Sequence, residues 1–147
     1  MIALSLRRLI VAIALIGAPT PLGPASAATL NTPADWQGFW RGRYVCAQGA
    51  TGLTLSVKPA GAHGVVATFS FHALAENPSV PSGQFKMTGQ LGPAGHLRLV
   101  AKSWTHQPLS YVMVGLDGDY DPASAQYKGV VDGPGCTEFV VQRDLVS

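Results

Sequence analysis

The sequence predicts an all-β domain of about eight antiparallel strands, arranged as a closed meander barrel or a barrel-like sandwich with one disulfide. Three observations support this fold class. Apolar residues alternate with polar ones over short segments, Gly and Pro interrupt the chain at short intervals, and no stretch beyond residue 27 sustains a helical period. Alternation over four to eight residues indicates a strand with one buried face, and evenly spaced short strands are typical of barrels and sandwiches.

The strands follow in order from this alternation. In the second strand, for example, Leu53, Leu55 and Val57 alternate with polar neighbours, and Phe139 and Val141 do so in the last strand. The predicted strands span residues 39–47, 51–58, 64–73, 83–91, 96–102, 110–118, 126–132 and 137–143. Turn-rich segments at 59–64, 92–95, 121–125 and 132–135 connect neighbours in the manner of hairpins.

One short segment departs from strand structure. Thr32 is a capping residue followed by Pro33, and this pair can start a helical turn that continues to Trp36. We expect this turn to plug one end of the barrel.

The N-terminal segment, residues 1–27, is predicted to be a secretory signal peptide. Arg7 and Arg8 precede an apolar stretch over residues 9–18, and the segment ends in the small-residue pattern of residues 25–27. That stretch is shorter than the roughly 20 residues needed to cross a bilayer. Cleavage leaves a single domain, residues 28–147, with no segment long enough for a membrane span, and predicts a periplasmic or secreted protein.

Composition and charge exclude several classes of protein. With 47% apolar and 12% charged residues, the chain fits neither a disordered protein nor a coiled coil. Two of the ten basic residues are Arg7 and Arg8, so the domain retains eight, against eight acidic residues. A nearly neutral domain with scattered basic residues argues against nucleic acid or an anionic membrane as the main partner.

Cys46 and Cys136 are the only cysteines. In an oxidising compartment their even number and wide spacing predict a disulfide, and buried free thiols are the alternative. A bridge across about 90 residues stabilises a domain by roughly 4 to 5 kcal/mol in the chain-entropy account. It would join the first strand to the start of the last, which favours a closed barrel over an open sheet. A two-sheet sandwich with the same bridge stays open as an alternative.

Two segments carry candidate ligand-binding residues. Trp104, His106 and Tyr111 lie in a predicted loop longer than a hairpin needs, and loops on a rigid sheet are where recognition residues tend to lie. Trp36 and Trp40 form either a stacking surface for a sugar or peptide or the packing that seals the first strand.

No motif indicates catalysis, a metal or a cofactor. Asp117, Asp119 and Asp121 have the spacing that opens a calcium loop, but Pro122 and Lys128 replace its required Gly and Glu. We therefore expect an acidic, solvated turn, with an irregular calcium site as the alternative. The four histidines, His63, His72, His96 and His106, form no local metal pair, and no nucleophile motif is present.

The opening Gly42-Arg43-Tyr44-Val45-Cys46-Ala47-Gln48-Gly49-Ala50-Thr51-Gly52-Leu53 resembles that of a small β module of exported bacterial proteins. The resemblance extends through Asn77-Pro78, Trp104…Pro108…Tyr111 and Gly135-Cys136-Thr137-Glu138-Phe139, and covers about residues 36–143. In size, β content and the Tyr-x-Cys at Tyr44 to Cys46, the chain also resembles the periplasmic inhibitors of C-type lysozyme. Likeness of architecture carries no activity by itself.

Three functions follow as expectations. The first is a non-catalytic, exported β-barrel module that binds a protein, peptide or glycan of the cell envelope through loops at one barrel end. The second is a periplasmic inhibitor of a cell-wall hydrolase such as lysozyme. The third is a weak hydrolase that uses His72 or His106.

Overall fold

The computed structural model describes residues 14, 16–24 and 28–145. Most of the predicted signal peptide, including its cleavage pattern at residues 25–27, lies outside the described residues. Among the residues described, no helix is both long enough and apolar enough to cross a membrane.

Eight antiparallel strands close into one barrel, which confirms the predicted fold class and selects the closed barrel over the sandwich. Each strand pairs with the next along the chain, and the last pairs with the first. The strands are β1 (Gly38–Cys46), β2 (Gly49–Ala60), β3 (Gly64–His72), β4 (Gly83–Leu91), β5 (His96–His106), β6 (Gly115–Asp121), β7 (Gln126–Asp132) and β8 (Glu138–Arg143). Two short 3-10 helices, Pro33–Trp36 and Pro93–Gly95, complete the described secondary structure.

The core lies inside the barrel and is built from the residues that the alternation predicts to face inward. Phe69, Phe85, Leu55, Leu97 and Leu116 are among its fully buried side chains. Because successive side chains of a strand point to opposite faces, the intervening polar residues lie outside. The interior is packed with side chains, as expected for a barrel of eight strands.

A pair of glycines lets the barrel wall pack closely against the buried ring of Phe139. Gly118 of β6 lies opposite Gly129 of β7. A Cβ at Gly118 would lie 2.8 Å from the Phe139 ring, and one at Gly129 would lie 2.1 Å from a backbone oxygen of Asp117. Side chains at these two positions would push β6 and β7 apart and press on the Phe139 ring, so only glycine fits.

The seam between β1 and β8 closes the barrel. Five residue pairs, from Trp40 with Arg143 to Tyr44 with Phe139, keep the two strands in register. The disulfide between Cys46 and Cys136, which confirms the predicted bridge, lies just beyond this ladder. The first strand is therefore joined to the last strand through backbone hydrogen bonds, and one covalent link lies beside this seam.

The barrel has two different ends. At the helix end lie the 3-10 helix Pro33–Trp36 and the connections 61–63, 92–95 and 122–125. At the disulfide end lie the turn 47–48 and the connections 73–82, 107–114 and 133–137. These two names are used below.

Two predicted strand boundaries are wrong, and irregular pairing is the cause. β5 continues to His106 instead of ending near residue 102, because β-bulges at two places in its pairing with β4 break the period-two pattern. β6 runs from Gly115 to Asp121, further along the chain than the predicted 110–118. As a result β6 pairs with β5 over only four residues, from His96 to Leu99, and residues 107–114 form an irregular segment at the disulfide end.

Candidate functional site

A surface cavity of about 380 Å³ lies at the disulfide end. β5 and β6 pair only over the four residues from His96 to Leu99, so that residues 107–114 belong to no strand and can form one wall of the cavity. Its walls come from three parts of the chain: the end of β1 with the turn that follows, the loop 107–114 and the segment around Cys136. They comprise Tyr44, Cys46, Ala47, Gln48, Ser110, Tyr111, Val112, Val114, Pro134 and Cys136.

Polar groups on the β1 side of the cavity are fixed by hydrogen bonds. The Gln48 side-chain amide donates to the Tyr44 hydroxyl (3.3 Å) and to the Thr51 hydroxyl (3.1 Å). Burial raises the pKa of the Tyr44 phenol well above its ordinary value of 10.0. The phenol therefore keeps its proton at neutral pH, and this wall presents neutral hydrogen-bonding groups instead of charges.

The loop 73–82 holds the turn at Gln48 in place through hydrogen bonds. Asn77 donates its side-chain N–H groups to the backbone carbonyls of Gln48 (2.7 Å) and Ala50 (3.0 Å). Val80 of the same loop is buried in the core. A side chain that satisfies two carbonyls of a turn holds it in one conformation, so this wall of the cavity is preorganised.

The loop 107–114 forms the opposite wall and is anchored through aromatic packing. The ring of Tyr111 stacks on Phe71, with centroids 5.3 Å apart and an interplanar angle of 12°. The backbone N–H of Tyr111 donates to the carbonyl of Pro108, and the Gln107 amide donates to the carbonyl of Tyr111. The segment between these contacts thus forms a tight turn with a fixed base.

Apolar side chains project from this anchored loop into solvent. Leu109 is 94% exposed and Val112 is 59% exposed, and Val112 lies on the cavity rim. A single exposed apolar side chain is common, but two on one loop, one of them on the rim of a largely apolar cavity, form a patch of the kind that marks interaction sites.

The structure divides the predicted binding residues between this end and the core. Tyr111 lines the cavity, whereas Trp104 and His106 lie on β5 instead of the predicted loop. Trp104 is half-buried and packs edge-on against Phe85 (5.2 Å) and Phe71 (6.3 Å), so it supports the Tyr111 stack from below. His106 is exposed at the last position of β5 and pairs with Gln84 across the ladder.

Trp36 and Trp40 lie at the opposite, helix end and inside the barrel. They are 0% and 1% exposed, and their rings are 5.3 Å apart. Trp36 also packs against Tyr127 (5.0 Å), and the Trp40 indole donates to the Trp36 carbonyl (3.0 Å). This is the sealing arrangement that the sequence offers as the second interpretation of these residues, and the predicted helical turn at Pro33–Trp36 positions it.

The aspartates predicted to form a solvated turn instead lie on β6. Asp119 lies 2.9 Å and Asp117 lies 3.1 Å from the two ring nitrogens of His96, the first residue of β5. Asp121 accepts hydrogen bonds from Lys128 and Ser124, and these lower its pKa from 3.8 to about 2. Within the described residues no group of three or more His, Cys, Asp or Glu side chains is arranged to hold a metal ion.

The cavity was not predictable from residue patterns, since its walls are brought together only by the closed barrel. Tyr111 is the lining residue that the sequence marks as a binding candidate, and Gln48 is marked only by the resemblance of its segment. Val114 and Pro134 carry no motif. Comparison with known proteins adds no further evidence: no family model, no curated protein and no solved structure matches the chain.

Proposed function

We propose that this protein is an exported, non-catalytic binding module, periplasmic or secreted, that recognises an apolar segment of a partner protein or peptide at the disulfide end. One observation carries the proposal: a preorganised cavity of about 380 Å³ adjoins the exposed side chains Leu109 and Val112. Its volume suits one or two apolar side chains of a partner, and pockets for ligands are concave, mostly apolar and largely preformed.

The chemistry of the walls supports an uncharged ligand. Tyr44 stays protonated, Gln48 and Ser110 offer neutral hydrogen bonds, and the remaining lining is mostly apolar. A protein or peptide segment with an apolar anchor and backbone amides matches this set, because its amides pair with such groups while its side chain fills the cavity.

The disulfide and the predicted signal peptide support the proposed compartment. Disulfides persist in oxidising compartments such as the periplasm and the extracellular space, and the bridge here forms part of the cavity wall. A reduced protein would lose both the covalent link and the shape of the site.

The proposal is tested by selecting peptides from a random display library on the oxidised protein. We expect the enriched peptides to share an apolar anchor and to bind at least about tenfold more weakly to the variants Leu109→Asp and Val112→Asp, since apolar anchors carry most of the affinity of such interfaces. Binding is measured by fluorescence anisotropy.

Leu145→Asp provides a matched control, because Leu145 is 86% exposed but follows β8 at the helix end. The same change of chemistry there should leave binding unaltered. Equal loss in all three variants, or selection of peptides without an apolar anchor, would contradict the proposal.

A second candidate function, inhibition of a cell-wall hydrolase such as lysozyme, is favoured by the exposure of Leu109 on an anchored turn. An inhibitor inserts such a projecting loop into the cleft of its target. Purified protein should then inhibit a C-type lysozyme at near-stoichiometric ratio, and Leu109→Asp should abolish the effect. Lack of inhibition by the oxidised protein would exclude this candidate.

A further inference from the structure

A second concave surface lies on the outer face of the barrel, away from both ends. Strands β2 to β5 form a groove of about 410 Å³ there. Its lining contains Lys58 from β2, Lys86 from β4 and Lys102 from β5, and among the described residues it includes no carboxylate. Three of the four lysines of the chain therefore meet in one groove, although they are far apart in sequence.

The pairing of the strands explains how these lysines converge. Lys86 lies opposite Thr68 on one side and Ser103 on the other. The next pairing, Met87 with Ala101, skips Lys102, which is therefore the extra residue of a β-bulge. A bulge redirects side chains, and here Lys102 and Ser103 are both exposed on the outer face next to Lys86.

The other basic residues of the domain are engaged differently. Arg41, Arg43, Arg98 and Lys128 each form an ion pair with a nearby carboxylate. Arg143 donates to the Asp35 carbonyl and lies over the Trp40 ring. In the part of the chain that the structure describes, the three groove lysines have no carboxylate within ion-pair distance. No lysine of the groove lies directly opposite another across the strands, and no carboxylate lines the groove as described, so the groove presents a local excess of positive charge to solvent.

The polar groups around the lysines indicate what kind of anion fits. Lysine binds phosphate and sulfate groups as a point charge, and its flexible side chain can follow successive groups along a chain. Hydroxyl groups both donate and accept hydrogen bonds, as the hydroxyls of a sugar do. Four of them line the groove: Ser56, Thr68, Thr88 and Ser103. An inorganic phosphate chain offers only hydrogen-bond acceptors, so it could not donate to the oxygen atoms of these serine and threonine side chains.

Two further features indicate which kind of molecule would carry the anionic groups. The lining of the groove, as described, has no aromatic ring on which the bases of a single-stranded nucleic acid could stack. A second hollow of about 150 Å³ shares Thr88 and Lys102 with the groove and continues to Arg98. Arg98 is itself paired with Asp117 and Asp132, so the concave surface, and not the set of unpaired cations, extends beyond the length of a single anionic group.

We propose that this groove binds a linear polysaccharide that carries sulfate or phosphate esters. The lysines contact the ester groups, and the serine and threonine hydroxyls contact the sugar. The site is separate from the cavity at the disulfide end and does not depend on the function proposed for that cavity.

The experiment is calorimetric titration of the oxidised protein with a sulfated heparin octasaccharide in 50 mM salt. The groove variant Lys58→Gln/Lys86→Gln/Lys102→Gln should bind on the order of 100-fold more weakly, because three cationic contacts and their counterion release are lost. An unsulfated oligosaccharide of equal length should not bind. Since all three lysines are exposed, the variant should fold, and thermal unfolding verifies this.

The matched control is Arg41→Gln/Arg43→Gln/Lys128→Gln, which removes the same charge from exposed positions outside the groove. It should bind the octasaccharide within about threefold of the original protein, since the cationic contacts to the chain are kept. Equal weakening in both triple variants would overturn the proposal, because attraction would then depend on net charge alone. Tripolyphosphate or a single-stranded oligonucleotide binding as tightly as the octasaccharide would overturn the assignment to a polysaccharide.

Discussion

The two ends of the barrel differ in how they are closed, and the difference separates stability from recognition. At the helix end, Trp36 enters the barrel and packs against Trp40 and Tyr127, and little apolar surface of these rings reaches solvent. At the disulfide end, a covalent bond and an irregular loop close the barrel less completely and leave a cavity with exposed Leu109 and Val112 beside it. The end that is sealed by packing contributes to stability. The other end is held by a disulfide, so it can keep an open cavity without losing the closure of the barrel.

The helix end is also reinforced by polar contacts at its entry. The Asp35 carboxylate accepts hydrogen bonds from the backbone N–H groups of Thr32 (2.8 Å) and Asn31 (3.0 Å). Arg143 of β8 lies over the Trp40 ring, 4.7 Å from its centroid, and donates to the Asp35 carbonyl. These contacts fix the 3-10 helix on the barrel and hold Trp36 in place.

The largest effect is expected from removing the disulfide. The variant Cys46→Ser/Cys136→Ser should lower the free energy of unfolding by about 4 to 5 kcal/mol, because the bridge closes a loop with a sequence separation of 90 residues. Urea denaturation of the oxidised protein and of the variant measures this difference.

Amide hydrogen exchange then shows whether the loss of stability is greater at one end of the barrel. The N–H of Thr137 donates to Val45 at the disulfide end of the β1–β8 seam, and that of Asp144 donates to Phe39 at the helix end. In the double variant we expect Thr137 to exchange much faster relative to Asp144 than in the original protein. An unchanged ratio of the two rates would show that the ends are not independently held.

The second largest effect is expected at the helix end. Trp36→Ala should lower the free energy of unfolding by about 3 to 5 kcal/mol, the cost of truncating a fully buried aromatic side chain. Trp36→Phe should cost less, since the Trp36 indole N–H is buried without a hydrogen-bond partner among the described residues and phenylalanine removes that donor.

Trp104 provides the matching indole at the disulfide end. Because Trp104 is only half-buried, Trp104→Ala should destabilise the protein by less than half as much as Trp36→Ala. Denaturation curves recorded under one set of conditions compare the variants. Equal losses at the two positions would contradict the division of roles between the ends.

A smaller effect is expected from the aromatic stack below the cavity. Tyr111→Ala should cost about 1 kcal/mol, because it removes the stacking of Tyr111 on Phe71. Tyr111→Phe keeps the stack and should change stability little, so it separates the role of the ring from that of the hydroxyl. If Tyr111→Phe proved as destabilising as Tyr111→Ala, the hydroxyl would be the main contributor.

The smallest effect concerns two half-buried aspartates at the helix end, Asp35 and Asp121. Hydrogen bonds from Thr32 and Asn31 lower the pKa of Asp35, and Lys128, Ser124 and Ala123 lower that of Asp121 to about 2. In the unfolded chain both groups titrate near 3.8. Their contribution is therefore complete above about pH 4 and is lost as the pH falls toward 2.

Thermal unfolding between pH 5 and pH 2 tests this dependence. Asp35→Asn and Asp121→Asn should each flatten the acid limb of the midpoint curve, while Glu138→Gln, at an exposed position of β8, should leave it unchanged. An acid limb that is the same in all three variants would mean that other groups control acid unfolding.

Regular alternation and turn chemistry made most of the fold predictable. The inward faces of β2, β3 and β7 follow from period two, and the short helix follows from Thr32 and Pro33. The boundaries of β5 and β6 were not predictable, because a bulge inserts a residue wherever the geometry of two neighbouring strands requires it. That requirement depends on both strands together, so the sequence of either strand alone does not reveal the position of the bulge.

The candidate sites, like the strands, were only partly predictable from the sequence. Tyr111 was identified from the density of aromatic residues in its segment, but the companions of Tyr111 in the cavity, such as Gln48 and Pro134, belong to other parts of the chain. The groove lysines appear scattered in sequence, and only adjacent strands bring Lys58, Lys86 and Lys102 onto one face. Scattered charge in a sequence therefore does not exclude a charged surface.

The class of fold, the inward-facing residues and the pair of cysteines follow from the order of residues along the chain, because they depend on local periodicity and on the number of thiols. The end that tryptophan seals, the place where the barrel wall opens into a cavity, and the lysines that share a groove become visible in the folded barrel. These properties depend on strand register and closure, which arise from contacts between residues far apart in the chain.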